Sequence, residues 1–209
     1  MILLSDKLWF PPVETASPEG IVAIGGDLST ERLLLAYKSG IFPWFNQGEP
    51  VIWYSPSERM VLFPDELKVS KSMQQVLKKD NFKVTFNQNF KEVIRACKTI
   101  YREGQGGTWI TDEMEEAYIK LHELGYAKSV EVWLDDKLVG GLYGIDLGTV
   151  FCGESMFSKV SNTSKIALIK LVEKLQQEKY KLIDCQVYNK HLESFGAKEI
   201  SRAEFLKYL

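Results

Sequence analysis

The chain has 209 residues, 45% hydrophobic and 26% charged, which is enough apolar material for a full core and argues against long disorder. A net charge of −2 excludes a uniformly basic nucleic-acid binder, and three scattered cysteines with two histidines exclude a disulfide framework or a multi-histidine metal site. The opening run Met1-Ile2-Leu3-Leu4 meets Asp6 and Lys7 at once, too short for a signal peptide or membrane span, so a cytoplasmic, metal-free protein is expected.

Residues 1–67 are rich in aromatics and punctuated by Pro11-Pro12, Ser17-Pro18-Glu19-Gly20 and Gly25-Gly26-Asp27. A short helix is predicted from an N-cap at Ser29 through Leu33, Leu34 and Tyr37 to a stop at Gly40. Aromatic runs broken by proline follow at 41–45 and 51–56. A second helix is predicted over 71–79, and a third from near Asn87 with Phe90, Val93, Ile94, Cys97 and Tyr101 on one face. After a glycine-rich loop at 103–107, a helix capped by Thr111 or Asp112 carries Met114, Ala117, Tyr118, Leu121 and Leu124, and Gly125 ends it. The period then changes to two: 129–134, 138–145 and 150–156 read as three strands of an antiparallel meander joined by tight turns. Ser161-Asn162-Thr163 caps a helix with Ile166, Ile169, Val172 and Leu175, then 182–187 is a strand and a last short helix begins near Arg202. This order of elements is that of a GNAT-like fold. The expectation is an α+β protein with a small N-terminal domain (1–67) packed on a GNAT-like domain (68–209) with a mainly antiparallel sheet.

Charge is unevenly distributed. Residues 68–102, including Lys71, Lys78, Lys79 and Lys83, carry nine Lys/Arg against two acids, a local +7, whereas 103–136 carry nine acids against two lysines, a local −7. Such a basic stretch can bind a polyanion, although a solvated helical face accounts for the same charges.

Two polar side chains interrupt the strand 182–187. Asp184 and Gln186 stand at i and i+2, so they project from the same face of one strand, where they are costly unless paired. Glu154 interrupts the last meander strand similarly. Were the two strands neighbours, the three groups would converge, either as a network fixing register or as a site that grips a substrate. Trp44, Trp53 and Trp109 are candidates for stacking on a nucleotide or for the core. The place where an acetyltransferase carries a glycine-rich pyrophosphate loop reads Ser158-Lys159-Val160-Ser161-Asn162-Thr163-Ser164-Lys165, without glycine, which argues against bound CoA.

Six blocks resemble the leucyl/phenylalanyl-tRNA–protein transferases in order and spacing: Ile24-Gly25-Gly26-Asp27-Leu28-Ser29, Gly40-Ile41-Phe42-Pro43-Trp44-Phe45, Gly107-Thr108-Trp109-Ile110-Thr111, Gly140-Gly141-Leu142-Tyr143-Gly144, Phe151-Cys152-Gly153-Glu154-Ser155-Met156-Phe157-Ser158 and Leu182-Ile183-Asp184-Cys185-Gln186. The resemblance implies transfer of leucine or phenylalanine from aminoacyl-tRNA to the N-terminal amine of proteins beginning with arginine or lysine, marking them for degradation by the N-end rule. It implies a monomer that needs no metal or other cofactor. It also implies catalysis by Asp184 and Gln186, an amino-acid site at Glu154, and Trp44 and Trp109 near the terminal adenosine. With Met156, the pocket would include Leu171 and Leu175, which stand where relatives carry phenylalanine, while Tyr54 replaces a tryptophan. Asp184 either orients Gln186 or binds the cationic protein N-terminus. The alternatives are a GNAT-like acyltransferase with another acyl donor, which would bind acyl-CoA, and a non-catalytic tRNA- or peptide-binding module.

Overall fold

Short apolar runs separated by proline and glycine build a first, four-stranded sheet. The computed structural model describes residues 2–79, 81–100 and 108–209. In it β1 (Leu3–Leu4) runs parallel to β2 (Ile21–Gly25), the nine-residue helix α1 (Thr30–Lys38) follows, and β3 (Phe42–Pro43) and β4 (Ile52–Tyr54) complete the order β1-β2-β4-β3. The Ser29 hydroxyl accepts from the Arg32 amide at 3.3 Å, and Gly40 leaves the helix at φ +72°, where a Cβ would be strained. Trp53 is fully buried, with Nε1 donating to the Gly25 carbonyl at 2.8 Å and Phe10 edge-on at 4.8 Å, so it belongs to the core and is no stacking platform.

The larger sheet begins earlier than expected. β5 (Glu58–Leu62), on the N-terminal side of the boundary expected at residue 67, pairs within it because Met60, Val61 and Leu62 are apolar toward both faces and buried. Then come α2 (Lys71–Lys78), β6 (Lys83–Phe86), α3 (Phe90–Thr99), α4 (Asp112–Glu123), β7 (Ala127–Leu134), β8 (Lys137–Asp146), β9 (Val150–Ser158), α5 (Thr163–Gln177), β10 (Leu182–Gln186), α6 (Lys190–Glu193), β11 (Lys198–Ser201) and α7 (Arg202–Phe205). Strand order is β11-β5-β10-β9-β8-β7-β6, antiparallel except between β9 and β10. Asp135 and Asp136, both at positive φ, make the two-residue β7–β8 hairpin. One face of the sheet packs on α1, α3, α4 and the small sheet in a single hydrophobic cluster. The other packs on α2 and α5.

The predicted helices lie at their expected places, but β6 falls between two of them, in residues for which the sequence predicts no element. The caps differ too: Thr111 accepts from the Met114 amide, whereas Asn162 sits at φ 71° without a side-chain cap. Thr163 instead buries its hydroxyl between Ser158 and the Val139 carbonyl, and a Cβ at Gly140 would lie 2.3 Å from that hydroxyl oxygen. The first turn of α5 is thus closed onto β8. Tyr101 and the 103–107 loop lie outside the described residues. Among the described residues no helix is long and apolar enough to cross a membrane.

Candidate active site

β9 and β10 pair in parallel register from Leu182↔Val150 to Asp184↔Cys152, and there the pairing stops. Both strands bulge just past that point. On β9, Gly153 faces Gly144 and Ser155 faces Tyr143, which leaves Glu154 as the extra residue. On β10, Asp184 faces Val61 and Gln186 faces Met60, which leaves Cys185 over. The two parallel strands separate, and a cavity of about 340 Å³ opens between them, walled partly by Trp44, Trp109, Met156, Leu168 and Leu171.

The bulge at Cys185 alters what the i, i+2 spacing predicts for Asp184 and Gln186. Gln186 turns into the left-handed region at φ 66°, and Asp184 Oδ1 accepts its backbone N–H at 2.9 Å. A left-handed non-glycine residue costs about 1–2 kcal/mol, while a hydrogen bond to a charged group contributes about 1.5–3 kcal/mol, so the carboxylate can hold the turn. Asp184 is itself fully buried and paired with Arg59 in a fork: Nε to Oδ1 at 2.8 Å and Nη2 to Oδ2 at 2.7 Å. Arg59 is 1% exposed and stacked between the rings of Phe42 and Phe205.

The Gln186 side chain crosses the gap, its Nε2 donating to Glu154 Oε1 at 2.8 Å. Tyr37 donates to the same oxygen at 2.8 Å, Tyr118 lies 3.3 Å from Oε2, and the two phenols hydrogen-bond each other. Burial first, and then the neighbouring Glu154 carboxylate, push both phenols well above their ordinary range, so they remain protonated donors. Burial likewise raises Glu154 to about 7, with Asp184 adding to the rise and the bonds from Tyr37, Tyr118 and Gln186 opposing it. Part of Glu154 faces the cavity, but its carboxylate lies beneath these three side chains. The site therefore holds a carboxylate raised to about 7 by its burial, beside an amide side chain that lines the cavity.

The structure brings Asp184, Gln186, Glu154, Trp44, Trp109, Met156 and Leu171 to one cavity. Trp44 is 46% exposed at its rim, tilted against Tyr54, which also stacks on Phe42. Leu175 is elsewhere. One turn farther along α5 than Leu171, it lines a second cavity with Phe86, Lys174 and Tyr180, and Leu171 and Phe151 form the wall between the two. Lys71, Lys78, Lys79 and Lys83 are exposed on α2 and the start of β6, without an ion-pair partner among the described residues. The residues of the basic stretch on α3 differ: Lys91 pairs with Glu123, and Arg95 and Lys98 pair with Glu115, so α3 and the acidic α4 neutralise each other. Sequence reasoning missed Arg59, Tyr37, Tyr118 and His191. The last lines the cavity, and burial, helped by Lys165, lowers its pKa.

Residues 61–209 match the family model described as leucyl/phenylalanyl-tRNA protein transferase, and residues 26–57 match the model of that family's N-terminal domain. The chain is 66% identical over 209 residues to the leucyl/phenylalanyl-tRNA–protein transferase of Flavobacterium johnsoniae, covering 100% of this chain and 99% of that one. It is 52% identical to the same-named protein of Pseudomonas fluorescens over 209 residues, 99% of this chain and 92% of the relative. Among solved structures FemX superposes with a TM-score of 0.51 at 10% identity, over 82% of this chain and 66% of FemX, a likeness of fold.

Proposed function

The chain belongs to the leucyl/phenylalanyl-tRNA–protein transferase family, and from that premise we propose that it moves leucine or phenylalanine from tRNA to the amine of proteins beginning with arginine or lysine, using Asp184 and Gln186. The observation that carries the residue assignment is the meeting of Asp184, Gln186 and Glu154 where β9 and β10 part, beside an apolar cavity rimmed by Trp44. This activity belongs in the cytoplasm, where charged tRNA is found.

The aminoacyl ester is already activated, so the enzyme has to place an amine against its carbonyl carbon. Such an amine, with a pKa of roughly 8, costs only about 1.4 kcal/mol to deprotonate per pH unit below that value. Holding two reactants in line contributes on the order of 7–11 kcal/mol, so positioning dominates. In this reading the amino-acid side chain enters among Met156, Leu168 and Leu171, and Trp44 and Trp109 flank the terminal adenosine, a stacking worth about 1–3 kcal/mol per base. The amine donates a hydrogen bond to the Gln186 carbonyl oxygen as its nitrogen attacks the ester carbon, and Glu154 holds the Gln186 amide in place. As the tetrahedral intermediate collapses, the ribose oxygen leaves with the bonding pair and takes up the proton that the amine gives up, relayed through solvent. Asp184, buried and forked onto Arg59, suits the orienting role better than capture of a cationic N-terminus. Exposed Lys71, Lys78, Lys79 and Lys83 supply a surface for the tRNA backbone.

Because Asp184→Ala strands Arg59 as a buried unpaired charge, at a cost of about 3–5 kcal/mol, it tests folding as much as chemistry. Gln186→Ala is the cleaner variant. Wild type is expected to label an N-terminal arginine peptide from radiolabelled leucyl-tRNA, and folded Gln186→Ala to lose about 10²-fold or more in rate. Retention within about threefold would refute the assignment of Gln186, a change of well under 1.4 kcal/mol in barrier.

A further inference from the structure

A single cation anywhere beside Asp184 would neutralise it, yet Arg59 is constrained in every direction. Nε and Nη2 take separate carboxylate oxygens, and Nη1 donates to the Gly40 carbonyl at 3.3 Å. The rings of Phe42 and Phe205 lie 4.7 and 4.6 Å from the guanidinium carbon. These contacts come from the segment after α1, from α7 and from β10, so three parts of the chain fix one side chain of β5. The fixed carboxylate then presents Oδ1 to the N–H of Gln186, and the Gln186 side chain reaches Glu154.

We infer that Arg59 is a positioning residue for aminoacyl transfer: it sets the direction in which Asp184 holds the left-handed turn at Gln186, and so aims the Gln186 side chain across the cavity. The inference rests on the reading of Asp184 and Gln186 as the catalytic pair. Arg59 is 1% exposed and is not among the residues that line the cavity, so its action on the substrates passes through Asp184. Its loss therefore acts on kcat and leaves substrate binding in place.

Arg59→Lys keeps the charge, but an ammonium has no planar fork to engage both oxygens and stacks poorly between two rings. Misplacement of reacting groups on the ångström scale costs on the order of 10²-fold. In steady-state transfer of phenylalanine to an N-terminal arginine peptide, Arg59→Lys is expected to lower kcat about 10²-fold. Its KM for phenylalanyl-tRNA should stay within about threefold of wild type. Phe205→Leu, which removes one stacking face and leaves the ion pair, is expected to lower kcat roughly fivefold at unchanged KM. A folded Arg59→Lys enzyme with kcat within about threefold of wild type overturns the inference, as does a loss that lies wholly in KM. If Arg59→Lys does not fold, Phe205→Leu decides alone, and an unchanged kcat overturns the inference. Gln186→Ala in the same assay separates the two failures. If it retains transfer, the catalytic pair itself is wrong; if it loses transfer while Arg59→Lys does not, only the role of Arg59 falls.

Discussion

Replacing Glu154 with glutamine removes a charge and leaves its hydrogen bonds satisfiable. An amide oxygen in the place of Oε1 still accepts from Tyr37 and Gln186. An amide nitrogen in the place of Oε2 can donate to Tyr118 once the Tyr118 proton turns from that position to Tyr37. What disappears is the titration. Burial raises Glu154 from an ordinary 4.5 to about 7, so between those pH values the folded protein keeps a proton that the unfolded chain has released. Stability then falls as pH rises across that window, and the penalty is complete above it. At about 1.4 kcal/mol per pH unit the penalty is at most about 3.5 kcal/mol, less whatever cavity water screens. Urea unfolding of wild type and Glu154→Gln from pH 4.5 to 8 checks this, because other titrating groups cancel in the difference. The variant should gain on wild type steadily up to pH ~7 and then hold level. A difference constant within about 0.5 kcal/mol, the size expected of a surface substitution, would refute a buried ionisable carboxylate at this position.

Leu171→Trp should narrow the cavity and lower phenylalanine transfer relative to leucine transfer by about tenfold; an unchanged ratio in a folded variant would mean that the new ring has swung into the second cavity, and that Leu171 does not set the pocket. Lys78, Lys79 and Lys83 changed together to glutamate should weaken tRNA binding and reduce the slope of log affinity against log salt by roughly 2–3. An unaltered slope would move the tRNA off this face.

The longer helices were legible because each carries its own signal, whereas the single turn of α6 was not read from the sequence. The serine at 29 and the threonine at 111 cap as expected, and β7, β8 and β9 are long enough for alternation to show. β4, β5 and β11 are five residues or fewer, and β5 owes its place to β10 and β11, far away in sequence, so no local pattern announces it. The same holds at the site. Asp184 and Glu154 are conspicuous as acids within apolar strands. Arg59, between Glu58 and Met60, looks like a solvent-facing residue of an edge, and Tyr37 and Tyr118 look like ordinary core aromatics. A bulge is invisible in one strand, because the extra residue exists only relative to a partner. That is why the spacing of Asp184 and Gln186 predicted a shared face, where the chain instead makes a turn.

The small sheet and α1 do more than sit beside the larger sheet. Tyr37 reaches Glu154 from α1, and Phe42 covers Arg59 from β3. Neither half of the molecule is therefore an interchangeable module. A chimera joining residues 1–57 of one relative to the remainder of another must preserve complementary shapes around a carboxylate and a guanidinium that both lie in the second part. Substitutions in the two parts are expected to be tolerated in combinations and not singly, so in this protein inheritance of the N-terminal piece is tied to the chemistry of the C-terminal one.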